Sequence, residues 1–365
     1  EIGVRLVGSE MCIRDRNTMN MNSIKKMMLS GALGCLISGM AYAGGSSPQP
    51  VKPYWQDIQV VAVNKEKPRS SFMSYADRET ALTSRFEKSP YYSLLNGTWK
   101  FFFVDSYKDL PQNITDPSVN TSSWDDITVP GNWEVQGHGV AIYTNHGYEF
   151  KPKNPQPPLL PEANPVGVYR RDIEIPANWD NRDIYLHIGG AKSGLYVYLN
   201  GKEVGYSEDS KNPAEFLINR YLQPGKNVLT LKIFRWSTGS YLECQDFWRM
   251  SGIERDVFLW SQPKASIQDF RVVSTLDDTY TNGIFKLAVD LKNHTQETKN
   301  LNVGYELLDA KGNLVTSEAN DIWVSPAAPQ TASFEYDLKN VAPWSAEHPN
   351  LYKLLLSLIH ISEPT

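Results

Sequence analysis

The residues able to do chemistry are not arranged for catalysis by any familiar scheme. The six histidines are scattered and lack the spacing of a metal site. No Gly-x-x-x-x-Gly-Lys-Ser/Thr phosphate loop occurs, and no Gly-x-Gly-x-x-Gly follows a strand-like run. A Gly-x-Ser-x-Gly nucleophile elbow and a His-Glu-x-x-His helix are also missing. Cys244 has no histidine beside it in sequence and reads as a small buried hydrophobe rather than a nucleophile. What the chain has in quantity is aromatic rings, 10 Trp and 19 Tyr among 365 residues. Most of these suit a core or strand pairing, but the apolar face of a sugar ring also packs well on such a surface. A net charge of -5 argues against a nucleic-acid binder, which needs a basic stripe.

The elements that must position these residues are strands. With 24 Gly and 23 Pro the chain is rich in turn formers. Thr98 to Val104, Val168 to Ile175, Asp183 to Ile188 and Asn227 to Trp236 read as strands, and Asp256 to Trp260 closes this block. Asn200-Gly201 between Leu195–Leu199 and Lys202–Tyr206 is the chemistry of a two-residue hairpin. A second block begins after Pro263, with strands over Ala265–Thr275, Gly283–Asn293, Leu301–Leu308, Ile322–Ser325, Ala332–Leu338 and Asn350–Leu356. Such spacing suits an immunoglobulin-type sandwich, and no amphipathic helix of three turns stands out. The fold class expected is therefore all-β, in two domains.

The ends read differently. Lys25 and Lys26, an apolar run from Met27 to Met40, and Ala41-Tyr42-Ala43 have the pattern of a secretory signal over 19–43, with cleavage after Ala43. Cleavage there is preferred to lipidation at Cys35, and it leaves Cys244 as the one cysteine of the mature chain. A secreted location follows, the periplasm preferred, with no membrane attachment after cleavage. Residues 1–18 and 357–365 resemble translated adapter DNA rather than fold, so His360 is not offered as a base. Residues 44–92 read as a linker followed by a segment that wraps the first domain. If the second sandwich stops near Leu356, its open edge is expected to favour aggregation.

Several collinear runs resemble the amino-terminal region of glycoside hydrolase family 2, specifically its β-galactosidases. They include Ser93-Leu94-Leu95-Asn96-Gly97-Thr98-Trp99, Val129-Pro130-Gly131-Asn132-Trp133-Glu134 and Ile142-Tyr143-Thr144-Asn145. Further on come Asn164-Pro165-Val166-Gly167-Val168-Tyr169-Arg170, the long stretch Arg235 to Ile253, and Pro343 to Tyr352. The resemblance implies a jelly-roll sugar-binding domain over 93–262 and an immunoglobulin-like sandwich over 263–356. A catalytic TIM barrel would follow and is missing from this chain. The full-length protein would hydrolyse terminal β-D-galactosides with retention, a reaction that needs two carboxyl groups about 5–5.5 Å apart. Those glutamates would sit on the barrel, so no catalytic residue is assigned and the chain alone is expected to be inactive. Rival readings are a β-glucuronidase or β-mannosidase relative, and a stand-alone carbohydrate-binding module.

By motif position the resemblance makes Asn145 and Asp246 substrate-binding residues, and Asp246 a ligand for sodium or another monovalent cation. An ionised carboxylate, acceptor-only with two oxygens, suits both tasks. Magnesium is implied for the full-length enzyme, with ligands outside this chain, as is a homo-oligomer. Read without the resemblance, Asn145 is an ordinary turn residue, and Asp246 caps a turn or pairs with Arg249 or Arg255. Trp248, Arg249 and Met250 are expected to brace the loop. Cys244 departs from the pattern, standing where relatives commonly carry an acidic residue.

Overall fold

The computed structural model describes residues 3–8, 52–150 and 154–360. The expected signal segment 19–43, the start of the linker and residues 361–365 lie outside the described residues. Among the described residues the architecture is all-β, with one α-helix of five residues, Arg78–Leu82.

The first domain is a sandwich of two sheets. Its larger sheet has seven strands in the order Ala62–Val63, Lys202–Ser207, Gly194–Leu199, Asn227–Phe234, Val166–Ile173, Gly97–Val104, Asp125–Val129. The opposing sheet runs Ala214–Leu217, Arg182–Ile188, Val257–Pro263, Tyr92–Leu94. Alternation along each strand sends every second side chain inward. Trp99, Phe101, Tyr169, Leu231 and Ile233 thus meet Leu186, Ile188, Phe216, Val257 and Leu259 in one core. The alternate residues of the larger sheet are covered as well: Val166, Val168, Tyr196, Tyr206 and Phe234 pack under Trp55, Ile114 and Trp124. The 54–63 segment lies on this outer face, pairing Val63 with Tyr206. Asn200 and Gly201 take φ of 53° and 78°, the left-handed pair that their hairpin requires.

The second domain packs Ala265–Leu276, Gly283–Asn293 and Gln330–Leu338 against Lys299–Leu308, Leu314–Val324 and Leu351–His360. The expected short strand at Ile322–Ser325 is the end of the much longer Leu314–Val324, whose residues are mostly exposed. Alternation is weak there because neither face is fully buried. The last strand runs on to His360, beyond the Leu356 boundary read from sequence, with Leu358 buried. Gly3–Gly8, assigned no strand above, pairs with it in parallel from Gly3↔Leu351 to Gly8↔Leu356. The two domains share a core in which Phe72, Tyr185, Phe258 and Trp260 pack with Ile267, Phe270 and Leu287.

Candidate functional site

A two-stranded ribbon carries both residues singled out above. Ile142–Thr144 and Phe247–Arg249 pair antiparallel, with Thr144 opposite Phe247, Tyr143 opposite Trp248 and Ile142 opposite Arg249. Asn145 and Asp246 are the next residues of each strand, so 101 positions of sequence close into neighbours at the ribbon tip. Both are exposed. Tyr143 Oη donates to Asp246 Oδ1 at 2.8 Å. This contact, rather than a pair with Arg249 or Arg255, is what Asp246 makes. The carboxylate in turn holds the Tyr143 phenol above its ordinary range, through that hydrogen bond and through charge. Asn145 Oδ1 lies 2.8 Å from His146 Nδ1, and Thr144 Oγ1 donates to the His146 carbonyl at 2.7 Å, which turns the chain at the tip. A groove of ≈ 600 Å³ opens beside Tyr143, Asn145, His146, Tyr148 and Pro155.

Alternation on the ribbon separates residues expected to act together. Trp248 points outward, 57% exposed, its ring 5.6 Å from that of Tyr143. It does not brace the loop from within. Arg249, next along, points inward and is 1% exposed. Its Nη1 donates to the Glu243 carbonyl at 2.8 Å, and its guanidinium lies 4.7 Å over the Phe247 ring. Met250 is half-buried.

The polar residues of the Arg235–Ile253 run mostly build the support beneath the ribbon. Ser237 and Ser240 close a capping box at the start of a 3-10 turn over Thr238–Tyr241. Glu208 accepts from Thr238 Oγ1 at 2.7 Å, Gly239 N–H at 2.8 Å and Tyr206 Oη at 2.8 Å. Glu243 accepts from Ser210 Oγ and N–H at 2.6 and 3.1 Å. Burial raises the carboxyls of both glutamates. The pair Lys192–Glu149, 2.8 Å apart, is likewise buried. Cys244 is half-buried with Sγ 3.4 Å from the Ser240 carbonyl. Burial pushes its thiol up against the opposing pull of Arg249 and Lys192, which disfavours the reactive thiolate.

The ribbon tip presents one carboxylate, one amide and one phenol to solvent, an acceptor-rich set for vicinal hydroxyls. Glycoside hydrolysis needs two carboxyl groups flanking one bond, and the tip brings one, Asp246. Among the described residues no three His, Cys, Asp or Glu side chains come together to hold a metal ion. Sequence reasoning reached Asn145 and Asp246 but left Tyr143 unassigned. Its signal, an aromatic next to a polar turn, is shared by many strand ends.

Comparison with known proteins places the fold. Residues 92–263 match the family described as glycosyl hydrolases family 2, sugar binding domain, and residues 265–363 match glycosyl hydrolases family 2. The chain is 38% identical over 317 residues to a β-galactosidase of Priestia megaterium, covering 86% of this chain and 31% of that protein. A β-galactosidase of Halalkalibacterium halodurans is 38% identical over 308 residues, 83% of this chain and 29% of that protein. The chain thus spans about a third or less of the length of these relatives. Among solved structures, Bacteroides uniformis β-glucuronidase superposes with a TM-score of 0.62 at 19% identity, over 75% of this chain and 31% of that one. At that identity the likeness speaks to fold alone.

Proposed function

The chain belongs to glycosyl hydrolase family 2, and on that premise we propose that it is the amino-terminal, sugar-facing part of a secreted, retaining β-galactosidase. The observation that carries the reading is that Asn145 and Asp246 directly adjoin the Thr144–Phe247 pair at one ribbon tip, with Tyr143 bonded to Asp246. In this role Asp246 and Asn145 hydrogen-bond hydroxyls of the galactosyl unit. The two reacting carboxyl groups come from the barrel that the resemblance implies. A monovalent cation such as sodium would take a carboxylate oxygen of Asp246 and supply a positive charge beside the sugar. Galactosides are favoured over glucuronides because relatives at 34–38% identity are β-galactosidases.

Titration of this chain with galactose, lactose and glucuronate, in sodium and in a large organic cation, tests the binding half. Galactose and lactose should bind, glucuronate should not, and D246N should weaken galactose on the order of tenfold or more, as expected for hydrogen bonds to a charged group. Equal binding of glucuronate, or indifference to D246N, would overturn the reading. The catalytic half is tested on the product of the gene with its downstream frame. Release of β-galactose as the first anomer supports retention, and α-galactose refutes it. A downstream frame without a barrel would leave a carbohydrate-binding module.

A further inference from the structure

A two-stranded ribbon is marginal by itself in water, so its tip needs an anchor outside its own ladder. Arg235 supplies one. It follows directly on Asn227–Phe234, a central strand of the large sheet, and its own N–H donates to the Pro165 carbonyl at 2.9 Å. The residue is 3% exposed. From that fixed base Nη2 donates to two carbonyls, Val140 at 3.0 Å and Arg249 at 3.2 Å. Val140 leads into one ribbon strand and Arg249 ends the other. Behind the guanidinium lie Glu134, 3.6 Å from Nη1, and Glu149, 3.8 Å from Nη2. Glu134 also takes the Ser251 N–H on both carboxylate oxygens, at 2.9 and 3.1 Å. The charge of Arg235 is therefore held within the network while its donors reach forward to the ribbon.

We propose that Arg235 is a positioning residue that clamps the base of both ribbon strands to the rigid sheet and so fixes Asn145 and Asp246 relative to one another. The inference rests on the sugar-site reading for its functional meaning, but the clamp itself does not. Pre-organisation of this kind raises affinity by removing the cost of ordering the tip on binding. Lysine keeps the charge but lacks the planar fork that can serve two carbonyls and two carboxylates together.

The test is R235K in the full chain, read by residue-resolved hydrogen exchange, thermal melting and galactose titration. The clamp requires exchange at Ile142–Thr144 and Phe247–Arg249 to quicken on the order of tenfold or more, with the large-sheet amides and the melting transition retained. Galactose affinity should fall on the order of tenfold. Unchanged ribbon exchange, or an equal increase across the whole chain, would overturn the proposal. Should R235K not fold, the charge-balanced double variant R235Q/E149Q, with E149Q alone as its reference, gives the same comparison. Failure of the site reading shows up separately. In that event D246N leaves galactose titration unchanged in a chain with native Arg235, while the exchange data still judge the clamp.

Discussion

The hydroxyl of Tyr143 donates to Asp246 at 2.8 Å across a sequence separation of 103 residues. Among the described residues it is the side-chain hydrogen bond made to this carboxylate, and it falls on Oδ1. Y143F should therefore leave the fold intact and weaken galactose binding roughly two- to tenfold, the range for one net hydrogen bond. Calorimetric titration beside a melting curve checks this. A loss of melting temperature parallel to the loss of affinity would mean that the phenol acts on the fold instead.

Gly283–Asn293 in the second domain and the Asn200-Gly201 hairpin are legible because each carries a local signal, alternation over many residues or a turn pair demanding positive φ, whereas Leu314–Val324, mostly exposed, shows little alternation and is legible only at its end. The ribbon is not. Three-residue strands such as Ile142–Thr144 are too short to show a period, and Phe247–Arg249 reads as a bulky aromatic-basic run with no inside or outside. Asn145 and Asp246 became visible only through family resemblance, since nothing local says that they meet. Trp248, Arg249 and Met250 are all expected from sequence to brace the loop; the pleat of the ribbon sends Trp248 outward and leaves Arg249 inward. The long Arg235–Ile253 resemblance is chiefly a record of the scaffold, with Glu208, Ser237 and Arg235 beneath the tip.

Gly252 offers a separate test of how tightly that scaffold is built. It sits at φ 111°, where side chains are strained, in a short strand paired with Gly131–Asn132. A Cβ placed there would lie 2.7 Å from the Gly131 carbonyl and 3.0 Å from the Trp133 ring. Neither can yield easily, because Trp133 is fully buried and donates to Tyr169 Oη at 2.5 Å. G252A should cost about 1–3 kcal/mol of backbone strain, measured by chemical denaturation. It should also disturb the ribbon, whose strand ends at Arg249 three residues away. A variant as stable as the parent would show that the local backbone is free to relax.

Acid stability should depend on Glu215, at the junction of the two domains. Its carboxylate accepts from Arg69 Nη2 at 2.8 Å and Nε at 2.9 Å, and from Trp260 Nε1 at 3.0 Å, with His187 Nδ1 at 2.8 Å. Ser70, next to Arg69, bonds Asp269 and the Phe270 carbonyl in the second domain, so the network spans the junction. Burial raises the Glu215 carboxyl, but Arg69 and His187 overcome it and hold the group at about 2, below its ordinary 4.5. A carboxyl depressed in the folded state stabilises the fold above the unfolded-state pKa. That contribution fades as pH drops from about 4.5 towards 2, and its size at neutral pH is about 3 kcal/mol at most. E215Q removes the titration but leaves Arg69 without its charge partner. The variant should therefore be less stable at neutral pH, by about 3–5 kcal/mol if the arginine stays buried. Melting temperatures from neutral pH down to pH 2 should then converge, the wild type falling more steeply than E215Q below pH 4.5. Parallel curves through that window would show that Glu215 is not the group whose protonation loosens the junction.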